Sequence, residues 1–145
     1  MNAIHPHKII LPGGAGLVGQ NLIVWLKAKG YRDIVVLDKH RTNLEIVRSL
    51  HPDITAEYAD LAERGAWERH FAQAEAVVML QAQIGGNDYT DFERNNLTAT
   101  RHVLDAIKHG HVRQLIHISS SVVNSVANDF YTNTDRKSTR LNSSH

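Results

Sequence analysis

The feature that most constrains this chain is a glycine-rich turn set between two stretches of different periodicity. Lys8 to Leu11 is a short apolar run of strand character, PGGAGLVG follows it, and from Leu17 to Lys29 the apolar residues Val18, Leu22, Trp25 and Leu26 recur at helical spacing before Gly30. Gly13, Gly16 and Gly19 have the spacing G-x-x-G-x-x-G. A strand that feeds a helix through such a turn needs Gly13 for a bend barred to residues with a Cβ, and Gly19 for close packing of helix on strand. Gly16 lets the backbone approach a pyrophosphate, to which the amino end of the helix offers free N–H groups and a partial positive charge. Glycines alone are also compatible with a purely structural turn, but the strand before and the helix after supply the context of a phosphate loop.

The same alternation continues along the chain. Asp33 to Leu37 reads as a buried second strand, Thr42 to Leu50 as a helix, Ile54 to Ala59 as a third strand, and about Glu63 to Gln73 as a weaker helix. Ala76 to Leu80 is the fourth strand, Asp88 to His109 the longest helix, with Phe92, Asn96, Ala99, Val103 and Ile107 on one stripe, and Gln114 to Ile118 the fifth strand. Strands and helices in alternation imply an α/β fold, a Rossmann-type doubly wound parallel sheet in the order 3-2-1-4-5, with ligands above the carboxyl ends of strands 1 and 4. The last strands and the substrate-binding region of such a fold find no room here, so the chain is expected to be truncated before them.

The second strand ends in Asp38, about twenty residues beyond the glycines, where an acid accepts hydrogen bonds from the ribose hydroxyls of adenosine. Its charge disfavours the extra phosphate of NADP and makes NAD the expected cofactor. Arg41, in the run Lys39, His40 and Arg41, is the residue that could serve NADP instead. A solvated strand-end carboxylate is the alternative for Asp38.

Composition excludes several other functions. There is no cysteine, hence no disulfide, thiolate nucleophile or cysteine-ligated metal. Histidine is abundant, with 10 residues, but pairs such as His5 with His7 and His109 with His111 fall at a disordered start and at a helix end without acidic partners, so no metal site is expected. His109 and His111 suit the helix carboxyl end instead. No apolar run approaches the roughly 18 to 20 residues of a membrane span, and MNAIHPHK lacks a secretory signal, so a cytoplasmic protein without a membrane partner is expected.

The stretch Asp135 to His145, DRKSTRLNSSH, is polar, has no apolar period and coincides with the translation of a common short-read sequencing adapter. It is therefore set apart as a non-native tail, 135–145, from an incomplete NAD(P)-binding domain at 1–134. A disordered basic tail is the other reading. Without Asp135, Arg136, Lys137 and Arg140 the 16 basic and 15 acidic residues become 13 and 14, so the charge balance implies no nucleic-acid partner.

These residues resemble the extended short-chain dehydrogenase/reductase family, and within it the NAD-dependent epimerase/dehydratase group acting on nucleotide sugars. The resemblance covers Lys8 to Thr134 and rests on the loop Gly13 to Gly19, an Asp-Leu pair after strand 3 at Asp60 and Leu61, the segment NLTAT from Asn96 to Thr100, and ISSS from Ile118 to Ser121. It implies that Gly13, Gly16, Leu17, Val18, Gly19, Asp38, Asp60, Leu61, Leu80, Gln81 and Ala82 hold the cofactor, with Asp60 and Leu61 at the adenine. At the end of strand 4 the family's HLAA is replaced by Met79, Leu80, Gln81 and Ala82, a departure in the nicotinamide pocket. The resemblance also implies a small-molecule substrate, a nucleotide sugar, and a homodimer built on the long helix and the helix after strand 5.

By the same resemblance Asn96 organises active-site hydrogen bonds, Ser121 binds the reacting oxygen, with Ser120 the nearby alternative, and Tyr131 transfers the proton. A helix cap is the competing role for either serine, and a bridge between helix turns for Asn96. A tyrosine near pKa 10 is a poor base at neutral pH without a cation beside it. The family places a lysine four residues after the tyrosine, where this chain has Asp135. The expected function is hydride transfer between nicotinamide and a sugar-like secondary alcohol, in epimerisation, dehydration or oxidation, with the chain itself inactive. The alternatives are a plain dehydrogenase of another alcohol and a non-catalytic cofactor sensor or scaffold on the same fold.

Overall fold

Strands made of unbroken β-branched and aliphatic residues are apolar on both faces and need cover on both. The computed structural model describes residues 5–82, 88–119 and 130–143, apart from the side chains of residues 130–132 and 142–143. Its elements are β1 (Lys8–Pro12), α1 (Leu17–Ala28), β2 (Ile34–Asp38), α2 (Arg41–Leu50), β3 (Thr55–Tyr58), a 3-10 segment (Ala66–Gln73) and β4 (Ala74–Met79). Then come α3 (Tyr89–Phe92), a π-helical segment (Glu93–Thr98) and α4 (Ala99–Lys108), which run on as one long helix, followed by β5 (Gln114–His117) and α5 (Phe130–Ser143). The five strands form one parallel sheet in the order β3-β2-β1-β4-β5, as the alternation of elements implies.

Alternation along each strand divides the core into two layers. Ile9 and Leu11 of β1, Ile34 and Val36 of β2, and Val78 of β4 face Ile23 and Leu26 of α1 and Leu44 and Val47 of α2. Ile10, Val35, Leu37, Val77 and Met79 point the other way, toward Trp67 and Phe71 of the 3-10 segment and Val103 and Leu104 of α4. The register keeps like with like, Leu11 beside Val36 and Ile10 beside Val77, so each layer is continuous across the sheet. Phe71 is among the largest fully buried side chains, meets the edge of Trp67 at a centroid distance of 5.8 Å, and has its carbonyl pressed against Gly110.

Four local details differ from the sequence reading. The buried face of α1 is Gly19, Ile23 and Leu26, while Val18 and Trp25 are 60% and 56% exposed. Gly19 sets that phase by packing on Gly14, and the Trp25 ring lies instead at the surface, with the Lys29 ammonium 5.3 Å from its centroid. The weaker helix is a 3-10 segment beginning only at Ala66, because Glu63 turns back on Asp60 and gives its carbonyl to the Trp67 indole N–H at 2.9 Å. The long helix contains a π-helical stretch that hydropathy cannot register. His5 is held, its N–H donating to the Gly30 carbonyl at 3.0 Å and its ring stacked on Tyr31. His109 does reach the helix carboxyl end, with Nδ1 2.8 Å from the Asp105 carbonyl oxygen.

Phe71→Ala is expected to cost about 3–5 kcal/mol in urea unfolding, since the surrounding strands cannot close the cavity. Trp25→Ala, with no buried partner to abandon, should cost about 0.5 kcal/mol or less. Equal losses at the two aromatics would contradict the assignment of faces.

Candidate functional site

The chain leaves β1 through a gap with almost no space. Gly13 has φ +75°, its N–H donates to the Leu37 carbonyl at 2.7 Å, and on the other side the Leu80 N–H donates to the Pro12 carbonyl at 2.9 Å. A Cβ on Gly13 would lie 2.4 Å from the Gln81 nitrogen, and one on Gly19 would lie 2.1 Å from the Gly14 carbonyl oxygen. The protein's own packing therefore demands glycine at both positions. Gly16 is different, because a Cβ there would meet only the Gly13 carbonyl oxygen at 3.9 Å. What a side chain at Gly16 would fill is the open cleft, a cradle suited to a group brought close to the backbone. Gly16 is also the N-cap of α1, and no side chain caps that turn.

Charged residues of β2, β3 and the long helix shape the next part of the cleft. Asp38 accepts the Ala15 N–H on one carboxylate oxygen at 3.1 Å and the His40 N–H on the other at 2.9 Å, and so ties the glycine loop to the end of β2. Lys39 donates to the Asn95 side chain at 2.6 Å, and the Arg41 guanidinium lies 3.9 Å from the centroid of the Tyr58 ring. Asp60 accepts the Ala62 N–H at 3.1 Å and Arg94 at 2.5 Å, and Arg94 also reaches Glu63 at 3.0 Å. Burial alone would raise the Asp60 carboxyl, but the Arg94 guanidinium and the Ala62 amide outweigh it and hold the pKa below the usual aspartate value.

These walls enclose a cleft of about 500 Å³ above the carboxyl ends of β1, β2 and β4. Gly13, Gly16, Leu17, Val18, Gly19, Asp38, Asp60, Leu61, Leu80, Gln81 and Ala82 all line it, so the structure gathers every position singled out for a cofactor. Lys39, His40, Asn43 and Asn95 line it too. Lys39 and His40 were singled out only as neighbours of Asp38, and no pattern marked Asn43 or Asn95. Gln81 carries a further property, since both polar atoms of its side chain are buried without a hydrogen-bond partner. At the end of β5 both ring nitrogens of His117 share that condition, and burial lowers its pKa while the charge of Asp135 opposes.

The residues singled out for proton transfer lie elsewhere or beyond description. Asn96 is buried between helices, donates to the Thr134 hydroxyl at 2.7 Å, accepts the Thr100 hydroxyl on its carbonyl at 2.7 Å, and is not among the residues lining the cleft. Thr100 and Ser138 continue this polar seam at 3.3 Å. Ser121 and Ser120 lie outside the described residues, and Tyr131 is described only as backbone in the first turn of α5. Asp135, buried in α5, is 3.5 Å from the Ser119 hydroxyl. The stretch set apart by its sequence supplies the rest of that helix through Ser143. No group of acidic and histidine side chains with metal-binding geometry occurs among the described residues, and none of their helices is long and apolar enough to cross a membrane.

Comparison with known proteins bears on the same surface. Residues 9–144 match the model of the NAD dependent epimerase/dehydratase family. The dTDP-L-rhamnose 4-epimerase of Burkholderia thailandensis is 32% identical over 124 residues, covering 79% of this chain and 34% of that protein. A UDP-glucose 4-epimerase of Schizosaccharomyces pombe is 23% identical over 133 residues, covering 85% of this chain and 38% of that protein. Among solved structures, UDP-glucuronic acid 4-epimerase from Bacillus cereus in complex with NAD superposes with a TM-score of 0.81 at 23% identity, over 94% of this chain and 52% of that one. The chain thus spans about a third to a half of the length of these relatives.

The Asp60–Arg94 pair generates a pH-dependent expectation. A carboxyl whose pKa is depressed on folding stabilises the fold above its unfolded value of 3.8, and that contribution is lost as pH falls through the folded value. In Arg94→Ala, burial without the cation should raise the Asp60 pKa, as read by carboxyl-carbon NMR. The stability gap between wild type and variant should be largest above about pH 5 and shrink in acid. A gap independent of pH would disprove the coupling.

Proposed function

The chain belongs to the NAD-dependent epimerase/dehydratase family, and from that premise we propose that its cleft binds NAD for hydride transfer to and from the secondary alcohol of a nucleotide sugar. The observation that carries the reading is Gly16, where the fold has no need of glycine and a side chain would project into the cleft. In this reading the first turn of α1 receives the diphosphate on its N–H groups, Asp38 accepts from the adenosine ribose, and Asp60 with Leu61 borders the adenine. Two epimerases similar to the chain act, by their names, on dTDP- and UDP-linked sugars, which supports the substrate class.

Asp38 argues for NAD over NADP, because its carboxylate would face the additional phosphate. The disposition of Arg41 supports the same preference, since the cation that would serve a phosphate is stacked on Tyr58. Calorimetric titration is expected to give binding of NAD at least about tenfold tighter than of NADP. Gly16→Ala should abolish most of that affinity while leaving the unfolding midpoint unchanged. Equal or reversed affinities would transfer the phosphate role to Arg41, and a Gly16→Ala variant that binds NAD normally would overturn the cleft assignment.

Bound NAD supplies the hydride acceptor, and the chain's own residues supply positioning and the proton path. Ser121 orients the substrate hydroxyl, Tyr131 takes its proton at the phenolic oxygen, and Asn96 acts on this pair indirectly, through its hydrogen bond to Thr134 on the helix that carries Tyr131. Asp135, one helical turn after Tyr131, puts a carboxylate where the family places its lysine and so disfavours the phenolate, and the chain is expected to bind NAD without turnover. The second reading, a cofactor sensor, differs at this position, because a sensor has no need of a lysine there. Asp135→Lys is expected to lower the Tyr131 pKa, followed by phenolate absorbance against a Tyr131→Phe control. An unchanged titration would remove Tyr131 as the acid/base and leave the sensor.

A further inference from the structure

The carboxyl end of β4 places in the cleft wall a side chain whose chemistry the fold does not use. Gln81 follows Leu80 just beyond the last ladder position of β4, and both its Nε2 and its Oε1 are buried with no hydrogen-bond partner. A carboxamide removed from water and left unpaired destabilises the fold, so such groups are rare in native proteins and call for a physical reason. Local adjustment of the backbone offers no relief. The Leu80 N–H is bonded to the Pro12 carbonyl, and the Gln81 nitrogen and Cα lie 2.4 and 2.5 Å from where a Cβ on Gly13 would be, so β4 and the glycine loop hold each other in place. Gln81 nonetheless lines the cleft.

The position of Gln81 along the cleft follows from the strand order. Asp60 and Leu61 follow β3, Asp38 ends β2, the glycine loop follows β1, and Gln81 follows β4, in a sheet ordered β3-β2-β1-β4-β5. A dinucleotide whose adenosine lies over β3 and β2 and whose diphosphate meets α1 therefore extends its second nucleoside over β4. That half carries ribose hydroxyls and a carboxamide, groups that both donate and accept. Gln81 holds an unpaired NH2 group that donates and an unpaired carbonyl oxygen that accepts.

We propose that Gln81 is a specificity-determining residue for the nucleoside beyond the diphosphate, its carboxamide pairing with a ribose hydroxyl or with the nicotinamide carboxamide. The proposal rests on the cofactor reading of the cleft and adds to it a side chain that distinguishes a whole dinucleotide from its adenosine half. Both polar atoms are closed off in the unliganded chain, so the bond forms as the side chain turns toward the cleft that the residue lines.

The test is Gln81→Leu in the whole 145-residue chain, titrated by calorimetry with NAD, ADP-ribose and ADP. NAD should bind about tenfold more weakly than to wild type, from the loss of a hydrogen bond that leaves the ligand's group unpaired. ADP should bind equally to both. The unliganded variant should melt no lower than wild type, because an apolar side chain of similar size replaces an unpaired amide. A loss shared by ADP-ribose assigns the ribose hydroxyl, and a loss confined to NAD assigns the nicotinamide, either of which supports the proposal. Unchanged NAD affinity, or an equal loss for ADP, overturns it while leaving the cofactor reading intact. A wild-type chain that binds neither NAD nor ADP overturns both. Gln81→Ala, expected to show the same ligand pattern, keeps the test decisive if the leucine variant does not fold.

Discussion

The contact on which the rest of this structure depends is the passage of the glycine loop between the ends of β2 and β4. β1 is hydrogen-bonded on both sides, so the chain can leave it only upward, through a slot bounded by Leu37 on one side and by Leu80 and Gln81 on the other. The positive φ of Gly13 makes that turn possible, and its missing Cβ lets β4 come into contact. Everything after it inherits the geometry. The loop sets the start of α1, Gly19 against Gly14 sets its rotation, and that rotation presents Ile23 and Leu26 to the sheet. The same squeeze leaves Gly16 facing open space, so the element that closes the core also opens the cleft.

Charge then holds the walls of the cleft where the backbone has put them. Asp38 uses both carboxylate oxygens on backbone amides, one of them in the glycine loop, so a residue suited to a ribose is also the tie between β2 and that loop. Asp60 is similarly engaged, by the amide of Ala62 and the guanidinium of Arg94, which joins the loop after β3 to the long helix. Lys39 to Asn95 makes a second link between strand end and helix. These partly exposed pairs contribute modestly to stability. Their effect is geometric, since they fix side chains at the cleft that would otherwise sample solvent.

Strand order, the glycine positions and Asp38 were legible in the sequence from local signals, whereas Asp60, Leu61 and the end of β4 were implied by the family resemblance. Apolar runs mark strands, and glycine spacing and strand-end carboxylates mark the carboxyl edge. What escaped depended on phase or on partners distant along the chain. Val18 and Trp25 are apolar residues on the solvent side of α1, and only the packing of Gly19 reveals it. Asn95 and Asn96 are adjacent in sequence, yet one lines the cleft and the other bonds Thr134, because neighbouring helix residues point well apart around the axis and only packing decides which faces the cleft. Arg94 carries no motif at all, and its role exists because its side chain reaches Asp60 and Glu63 in the segment after β3.

By itself the sequence determined the architecture and the chemistry available at the cleft. Hydrophobic runs are driven out of water, parallel strands need crossovers, and three glycines at that spacing between a strand and a helix mark a tight turn that packs the two together. Tertiary structure alone decided which polar atoms found partners. Gln81 and His117 are ordinary residues in a linear reading, and they become orphaned donors and acceptors only because neighbouring strands and helices exclude water from them without supplying a bond. Hydrogen-bond satisfaction is a property of the packed ensemble of neighbours, mostly remote in sequence, and no local pattern encodes it.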